Sequence, residues 1–376
     1  MAREAGQFLL TCTTGFEEIS AAEAEELGAH PVELREGRVI VEGGARLMYR
    51  LNAWARTIHR VLLLVGRFRV EDLRDVRDAG SGIDCGIIGH GRTFAVRSER
   101  SGVHPFTSMD VASTVGSAVL AACSGTRVDL EDPDVIIRAD VVGPELFLSI
   151  DTTGESLHIR EWRRFNHPSS IKPSLASALI RLSGWRGDSL LDAFAGGATI
   201  PIEAALRWMG RRVHERRDYA YRRLPMYDPA AEEEERGSDP SPLPVPPRAG
   251  EIVGVEVKPK YYEGALKNLD ASGTSGIVRM ILGDSLRWRP ERRFRFVVTN
   301  PPYGVRSGGR KRVAGLYRRF ASRLPEILEP GGIAVAVTTE HRQMAEALSS
   351  AGLRVLEVRK GRHGRLWVGA VKAALV

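Results

Sequence analysis

The 376-residue sequence predicts a multidomain chain of mixed class, α/β and α+β, with α+β modules ahead of a doubly wound α/β domain. Two observations carry this. The first 68 residues read strand–helix–strand–strand–helix–strand, the ferredoxin-like order. From residue 171 onward, short apolar strands alternate with helical patterns, as in a parallel sheet with helices on both faces.

The first module, residues 1–68, opens with the apolar run Phe8 to Thr11, a strand. Phe16 to Leu27 is rich in Glu and Ala, with Phe16, Ile19 and Leu27 at helical spacing. Pro31 to Arg35 and Arg38 to Glu42 flank the turn Glu36-Gly37 as two strands. A helix over Ala45 to Ala53 and a β-branched, Leu-rich strand over Ile58 to Phe68 complete the order. In the second module, residues 69–155, Thr93 to Ser98 alternates as a strand. Ser108 to Cys123 is a helix capped by Thr107 or Ser108, and Val135 to Val142 with Leu146 to Asp151 form a hairpin around Gly143-Pro144. A linker over 156–170 leads to the third module, residues 171–376, with strands at 189–192, 251–255, 277–281, 294–299 and 332–338. Residues 228–250 interrupt it. Their Pro, Ser and Glu content cannot bury a core, so a mobile insertion is expected.

Composition narrows the function. Fifty-four Lys and Arg against 47 Asp and Glu give a net charge of +7. Acid clusters at Glu23, Glu25, Glu26 and in the run Glu232 to Glu235, so the remaining surface is expected to be more basic than the net charge and to suit a polyanion. Cys12, Cys85 and Cys123 are far apart and odd in number; neither a disulfide framework nor a zinc spacing is visible, and a reducing cytoplasm fits. The histidines are scattered without metal spacing, so no metal is expected. The longest apolar runs fall short of the ~18 residues that span a bilayer, and the N-terminus lacks a signal-peptide layout.

The sharpest motif is Asn300-Pro301-Pro302-Tyr303, directly after the apolar strand Phe296 to Thr299. It therefore lies at a strand's carboxyl end, where open α/β sheets bind ligands. The Asn300 side-chain oxygen and the Pro301 carbonyl can each accept a hydrogen bond from one planar NH₂ group, which turns the nitrogen lone pair towards an incoming methyl. The prolines stiffen the loop, and Tyr303 offers a face for stacking on a base. Alone, the motif reads equally as a proline-rich turn with an asparagine cap. Three other strand ends add to it. Asp192-Ala193-Phe194-Ala195-Gly196-Gly197 is an acid followed by a small-residue loop that opens a helix, and such a helix start favours a carboxylate. Glu256 follows the next strand and suits ribose hydroxyls; Gly283-Asp284 follows the third and suits an adenine amine. Each acid alone is more often a cap; the ordered set of four is specific.

With these residues, the chain resembles the THUMP-containing guanine-N2 RNA methyltransferases. The resemblance rests on Leu9 to Ile19 (LLTCTTGFEEI), Ile150 to Arg160, Ile171-Lys172-Pro173-Ser174-Leu175-Ala176, the DAFAGGATIPIEAA stretch and TNPPYG, and covers nearly everything except 228–250. It is nearest to the archaeal and bacterial tRNA members that make N2-methylguanosine at position 6 of the acceptor stem. The resemblance implies a ferredoxin-like domain, a THUMP domain and a Rossmann-fold class I methyltransferase that uses S-adenosylmethionine. The first two parts would bind the tRNA acceptor stem and its 3′ end. Asp192, Phe194, Ala195, Gly196, Gly197 and Thr199, then Glu256 and Val257, then Gly283, Asp284 and Ser285, together with Asn300 and with Ser174 contributing, would form the cofactor site. Asn300, Pro301, Pro302 and Tyr303 would hold the guanine. A monomer is expected. The family loop usually reads Asp-Pro-x-Cys-Gly-Ser-Gly-Thr; Ala193, Ala195 and Ala198 depart from it here, and Ala198 is less permissive than glycine.

A paired guanine must be flipped out to react, so phosphate anchors are needed. Candidates are Arg97, Arg100 and His104, then Arg160, Arg163 and Arg164 around Trp162. Arg306, Arg310 and Lys311 follow the Asn-Pro-Pro-Tyr loop in a glycine-rich basic stretch that reads as an RNA-facing lid. The basic stretch from Arg211 to Arg223 near Tyr219 and Tyr221 is either a second RNA face or amphipathic packing. His341 after the fifth strand reads as a helix start. Rival readings are an amino-methyltransferase on adenine, cytosine or protein glutamine, a non-catalytic RNA-binding protein, and a thiouridine synthase; the last needs a pyrophosphatase-type loop that the sequence lacks.

Overall fold

The computed structural model describes residues 6–237, 239–244, 251–303 and 310–376, the side chains of 310–312 excepted. The chain divides into two compact units: residues 1–11, 24–157 and 214–238 form one, and residues 12–23, 158–213 and 239–376 the other.

The first unit is built on one sheet. β1 (Gly6–Cys12), α1 (Glu17–Glu26), β2 (His30–Arg35), β3 (Arg38–Gly43), α2 (Leu47–Trp54) and β4 (Ile58–Arg69) follow the expected βαββαβ order. Then come α3 (Leu73–Ser81), α4 (Cys85–Ile88), β5 (Thr93–Arg97), β6 (Arg100–Ser101), α5 (Ser108–Ala122), β7 (Arg127–Val128), β8 (Val135–Val142) and β9 (Glu145–Asp151). The strands run β2-β3-β1-β4-β9-β8-β5-β7, with β6 beside β8. β4 pairs antiparallel with β9 from Leu62↔Asp151 to Arg69↔Glu145, so the two α+β modules share a continuous sheet across the boundary drawn at residue 68. Along β8, Val135, Ile137, Ala139 and Val141 are fully buried, the period of two that fixes which face meets the core. α5 starts on a capping box in which Thr107 and Asp110 exchange hydrogen bonds, so Thr107 is the cap. It buries Val111, Val115, Ala118 and Val119, one helical stripe.

Two features here depart from the sequence reading. Cys85 and Cys123 form a disulfide that joins the start of α4 to the end of α5. Their separation of 38 residues hid it, because α3 and α5 pack side by side and bring the ends together. Second, part of the expected mobile insertion is ordered. A 3₁₀ turn over Ala220–Arg223 and a helix over Pro229–Gly237 belong to this unit, with Glu232, Glu235 and Arg236 buried. Glu232 accepts hydrogen bonds from Tyr221, Tyr227 (both 2.7 Å), Arg222 and Arg236. Burial opposes its ionisation, but Arg222 and the tyrosine hydroxyls hold it down to about 2. Trp54 Nε1 donates to the Glu235 carbonyl at 3.0 Å. Within the acidic run Glu232, Glu234 and Glu235 are thus paired with arginines, and composition cannot show pairing.

In the second unit, α6 (Pro173–Ser183), β10 (Leu190–Asp192) and α7 (Thr199–Trp208) precede the excursion whose helix, α8, is Pro229–Gly237. β11 (Ile252–Glu256), α9 (Pro259–Ser272), β12 (Val278–Leu282), β13 (Phe294–Thr299), α10 (Arg310–Ile327), β14 (Leu328–Thr338), α11 (His341–Ser350), β15 (Leu353–His363) and β16 (Leu366–Leu375) follow. The sheet order is β12-β11-β10-β13-β14-β16-β15. The first five strands of that order are parallel, and β16 lies antiparallel between β14 and β15. Leu190, Ile252 and Val298 face α6, α7 and α9, whereas Leu191, Val253 and Val297 face α10 and α11. Burial on both faces explains why these strands read as continuous apolar runs rather than alternations. Residues 12–23 pack in this unit: Phe16 sits in the core with Trp162 and Leu179, Arg359 reaches Glu18 (2.8 Å) and Arg181 reaches Glu23 (3.2 Å).

Candidate active site

β10 lies between β11 on one side and β13 on the other, so the chain reverses direction across the sheet at β10. The crevice outside the carboxyl ends of these strands is the binding position of such sheets. β10 ends at Asp192, β11 at Glu256, β12 leads into Gly283-Asp284, and β13 leads into Asn300. Four sequence-predicted groups therefore share one edge.

Thr299 joins the end of β13 to the loop after β10. Its hydroxyl donates to Asp192 Oδ1 at 2.6 Å and accepts from the Phe194 N–H at 3.2 Å; Phe194 N–H also donates to Asp192 Oδ1 at 3.1 Å. Asp192 is almost fully buried. Burial pushes its carboxyl up to about 7; the bonds from Thr299 and Phe194 oppose this, and the charge of Glu256 adds to it. Glu256 accepts from the Gly196 N–H (3.1 Å) and the Lys258 N–H (2.8 Å), which fixes its carboxylate against the loop. Gly196 has φ +54°, and a Cβ there would lie 3.3 Å from the ring of His167. Ala198, at the N-cap of α7, has φ +63°, the sole non-glycine residue with positive φ among the described residues. A side chain in that conformation is strained by about 1 kcal/mol or more.

The remaining cofactor candidates are placed as follows. Val257 is exposed beside Glu256, and Asp284 accepts from the Leu286 N–H at 3.0 Å. Gly283 N–H donates to the Glu256 carbonyl at 3.0 Å, which brings β12's end to β11's. Ala195 N–H donates to the Val255 carbonyl at 3.0 Å. The Gly197 carbonyl accepts from Asn268, and Thr199 accepts from Arg163 at 3.2 Å. Ser285 is buried, and Ser174 in the first turn of α6 has no exposed surface.

Asn300 is held at both ends of its amide. Nδ2 donates to the Ser169 carbonyl at 3.1 Å, and Oδ1 accepts from the Tyr303 hydroxyl at 2.6 Å. The Tyr303 ring packs against the core, and burial raises its hydroxyl pKa. The expected open stacking face is thus not presented here; the ring is used for packing and its hydroxyl for holding Asn300. Pro301 is buried, Pro302 exposed, and the Pro302 carbonyl accepts from Tyr317 at 3.0 Å, itself 2.5 Å from Thr338 Oγ1.

Segment 164–170 crosses the glycine loop. Asn268, fully buried on α9, accepts from the Arg164 and Phe165 N–H groups (2.9 and 2.8 Å) and donates to the Phe165 and Gly197 carbonyls (3.0 and 2.9 Å). Sequence reading missed Asn268, Thr299, Tyr317 and His167. The signal for Asn268 was present: it sits on the apolar stripe with Ala265 and Leu269, where a polar residue needs partners.

Of the RNA candidates, Arg97, Arg100 and Arg164 are exposed. Arg97 donates to the Leu130 carbonyl, and Arg100 contacts the Gly102 carbonyl and His104 Nδ1. His104 stacks on Phe106 and reaches the Gly143 carbonyl at 2.6 Å. Arg160 and Arg163 are corrected. Arg160 is buried in a two-pronged pair with Glu203 (2.9 and 3.0 Å), and Arg163 is largely enclosed between Trp162 and Thr199, its pKa lowered by burial. Arg160 therefore offers no head group to a phosphate, and Arg163 is half-buried with one nitrogen already bonded to Thr199. Arg306 and the side chains of Arg310 and Lys311 lie outside the described residues. In the Arg211–Arg223 stretch, Arg217, Arg222 and Arg223 pair with Glu155, Glu232 and Asp132, which is the packing alternative. Among the described residues, no cluster of His, Cys, Asp or Glu could hold a metal, and no helix is long and apolar enough to cross a membrane.

A sheet of this order, with an acid–glycine loop at its switch point and acids on the next two strand ends, is the class I methyltransferase fold. The family model for the RMKL-like methyltransferase domain matches residues 160–369, that for the RlmL ferredoxin-like domain matches 7–62, and that for the THUMP domain matches 72–151. The chain belongs to this family of THUMP-containing RMKL-like methyltransferases. It is 35% identical to the tRNA (guanine(6)-N2)-methyltransferase of Archaeoglobus fulgidus, over 96% of this chain and 90% of that one. It is 31% identical to the enzyme of the same name from Methanocaldococcus jannaschii, over 93% and 95%. Identity to the ribosomal RNA large subunit methyltransferase K/L of Methylococcus capsulatus is 28%, over 98% of this chain but 50% of that protein. Among solved structures, TrmN from Thermus thermophilus superposes with TM-score 0.72 at 26% identity, covering 98% of this chain and all of that one. SMU.472, complexed with SAH, has the same fold at TM-score 0.83 and 21% identity, covering 98% of each.

Proposed function

We propose that the protein transfers a methyl group from S-adenosylmethionine to the exocyclic N2 of a guanosine in tRNA, at position 6 of the acceptor stem. The carrying observation is that Asp192 and Asn300, on adjacent parallel strand ends, are bridged by Thr299 at 2.6 Å. Support comes from the two archaeal relatives of that name, which align over nearly the full length. The residues fit the cofactor: a glycine loop with no side chain of its own at Gly196, an acid fixed at Glu256 for ribose hydroxyls, Asp284 for an adenine amine and Val257 as an apolar face.

S-adenosylmethionine supplies a methyl group on a positively charged sulfur, which keeps the C–S electron pair when the methyl leaves. Asn300 Oδ1 and the Pro301 carbonyl accept the two N–H bonds of the flipped guanine amine, so its lone pair faces the methyl group. The new N–C bond leaves the nitrogen with an excess proton, which passes to water; no strong base is required. Ser169 holds the Asn300 amide so that Nδ2 points away from the substrate and Oδ1 towards it. Binding of the amine displaces the Tyr303 hydroxyl from Oδ1. Arg97, Arg100, His104 and Arg164 anchor phosphates, joined by Arg306, Arg310 and Lys311 after the catalytic loop.

A second reading, methylation of large-subunit ribosomal RNA, follows from the K/L relatives, which align over nearly all of this chain. Unmodified tRNA transcripts with guanosine or adenosine at position 6, and ribosomal RNA, are incubated with the protein and S-adenosylmethionine, and nucleosides are mapped by mass spectrometry. N2-methylguanosine confined to the guanosine-6 transcript is expected. Methylation of ribosomal RNA alone refutes the tRNA assignment.

A further inference from the structure

One side chain at the glycine loop, His167, has no part in holding the guanine or the ribose and adenine groups. His167 lies over the glycine loop: a Cβ on Gly196 would be 3.3 Å from its Cγ and 3.4 Å from its Nδ1. The ring is fixed on two sides. It packs edge-on to Tyr261, with centroids 4.2 Å apart, and its Nδ1 accepts from the Ser169 N–H at 3.1 Å. With Nδ1 accepting, the proton of the neutral ring resides on Nε2. No hydrogen bond from Nε2 forms among the described residues, so the ring over the loop carries one N–H donor with no protein acceptor. The backbone that carries the ring is rigid as well, because Asn268 ties Arg164 and Phe165 to Gly197.

We propose that His167 Nε2–H is a ligand of the carboxylate at the methionine end of the cofactor, held together with the backbone N–H groups at the start of α7. This rests on the reading of the strand-end crevice as an S-adenosylmethionine site. Charge explains why this end takes the carboxylate. Glu256 and Asp284 make the β11–β12 side acidic, which suits hydroxyls and an amine and repels an anion. At the glycine loop, α7 presents its N-terminus, and Lys258 lies close by with its Nζ 5.3 Å from the centre of the Tyr261 ring that His167 also touches. Burial and Lys258 both keep the imidazole neutral, so the donor is a fixed N–H and Lys258 supplies the charge.

Titration calorimetry on the full chain with two ligands tests this. S-adenosylhomocysteine carries the carboxylate; 5′-deoxy-5′-methylthioadenosine shares the adenosine and sulfur but lacks the amino-acid end. For His167→Ala, affinity for S-adenosylhomocysteine should fall about tenfold or more, the loss of one hydrogen bond to a charged group, with less than about a twofold change for the methylthioadenosine. His167→Gln, whose amide can place an N–H near the Nε2 position, should recover most of the loss and serves as the probe if the alanine variant does not fold. Equal losses for both ligands would mean that His167 only packs the segment, and unchanged S-adenosylhomocysteine binding would remove the contact; either overturns the proposal. Failure of the unaltered chain to bind S-adenosylhomocysteine would instead sink the cofactor reading beneath it.

Discussion

Replacing Asp192 with Asn should stabilise the protein at alkaline pH, and the size of the effect follows from the burial of the carboxyl. Its pKa is raised from 3.8 to about 7 in the folded state. Between these values the folded state holds a proton that the unfolded state has lost. The sign is therefore opposite to that of a salt-bridged carboxylate. The favourable contribution is complete below about pH 4, declines as pH rises, and is gone above about pH 7. At about 1.36 kcal/mol per pH unit, the span from 3.8 to about 7 amounts to roughly 4 kcal/mol at most. Asparagine does not ionise, and its Oδ1 can still accept from Thr299 and Phe194, as Asp192 does now. Urea unfolding of the ligand-free variant and the unaltered chain at pH 5, 6, 7 and 8 should show the variant ahead by only about 1.6 kcal/mol at pH 5, where roughly 1.2 pH units of the span from 3.8 to about 7 have been crossed. At pH 8 the variant should be ahead by roughly 4 kcal/mol. A stability gap that is the same at pH 5 and pH 8, or a variant weaker at pH 8, would refute the burial argument.

Asn300→Ala should lower turnover about 10²–10³-fold, the scale of losing a positioned polar group in a transition state, while S-adenosylhomocysteine affinity by calorimetry stays within about twofold. Near-normal turnover would remove Asn300 from the chemistry. Ala198→Gly should stabilise by about 1 kcal/mol, since φ +63° costs glycine nothing; thermal unfolding that is unchanged or lower would show that the strain is relieved elsewhere. Replacing both Cys85 and Cys123 with Ser should destabilise by about 4 kcal/mol, from the loop entropy of a 38-residue separation; chemical unfolding followed with and without reductant measures it, and reductant should affect only the unaltered chain.

The sequence displayed those parts of the fold and site that local chemistry specifies. The βαββαβ order and the five parallel strands follow from periodicity that each segment carries by itself, and their bounds match the structure within a few residues except at β14, which starts at Leu328 rather than 332. The acids and the Asn-Pro-Pro-Tyr loop were readable because strand ends are marked by the end of an apolar run. What escaped depends on contacts distant in sequence. The Cys85–Cys123 bond required knowing that α3 lies beside α5. Arg160 reads as a surface cation until Glu203, 43 residues on, is placed against it. The run Glu232 to Glu235 has the composition of a solvated tail, yet Glu232 is enclosed by Arg222, Tyr221, Tyr227 and Arg236. Charged residues are ambiguous in sequence for one reason: a buried pair and an exposed pair have the same composition.

The two bonds on Asn300 also bear on how a reactive amide can be kept ready without resisting its substrate. A free amide side chain can flip, and a flipped Asn300 would present donors to the guanine amine, which is itself a donor. The Ser169 carbonyl at 3.1 Å selects one orientation of the amide, and the Tyr303 hydroxyl at 2.6 Å occupies Oδ1. Under the proposed function an entering amine would replace one hydrogen bond to Oδ1 by another, so the net cost at Asn300 would be only the difference between the two, about 1 kcal/mol or less. The orientation is retained throughout because the Ser169 bond lies on the other side of the amide. Ser169 follows His167 on the segment that Asn268 ties to the glycine loop. One stretch of backbone thus touches both the glycine loop and Asn300, and direct transfer as proposed would demand such coupling of two bound groups.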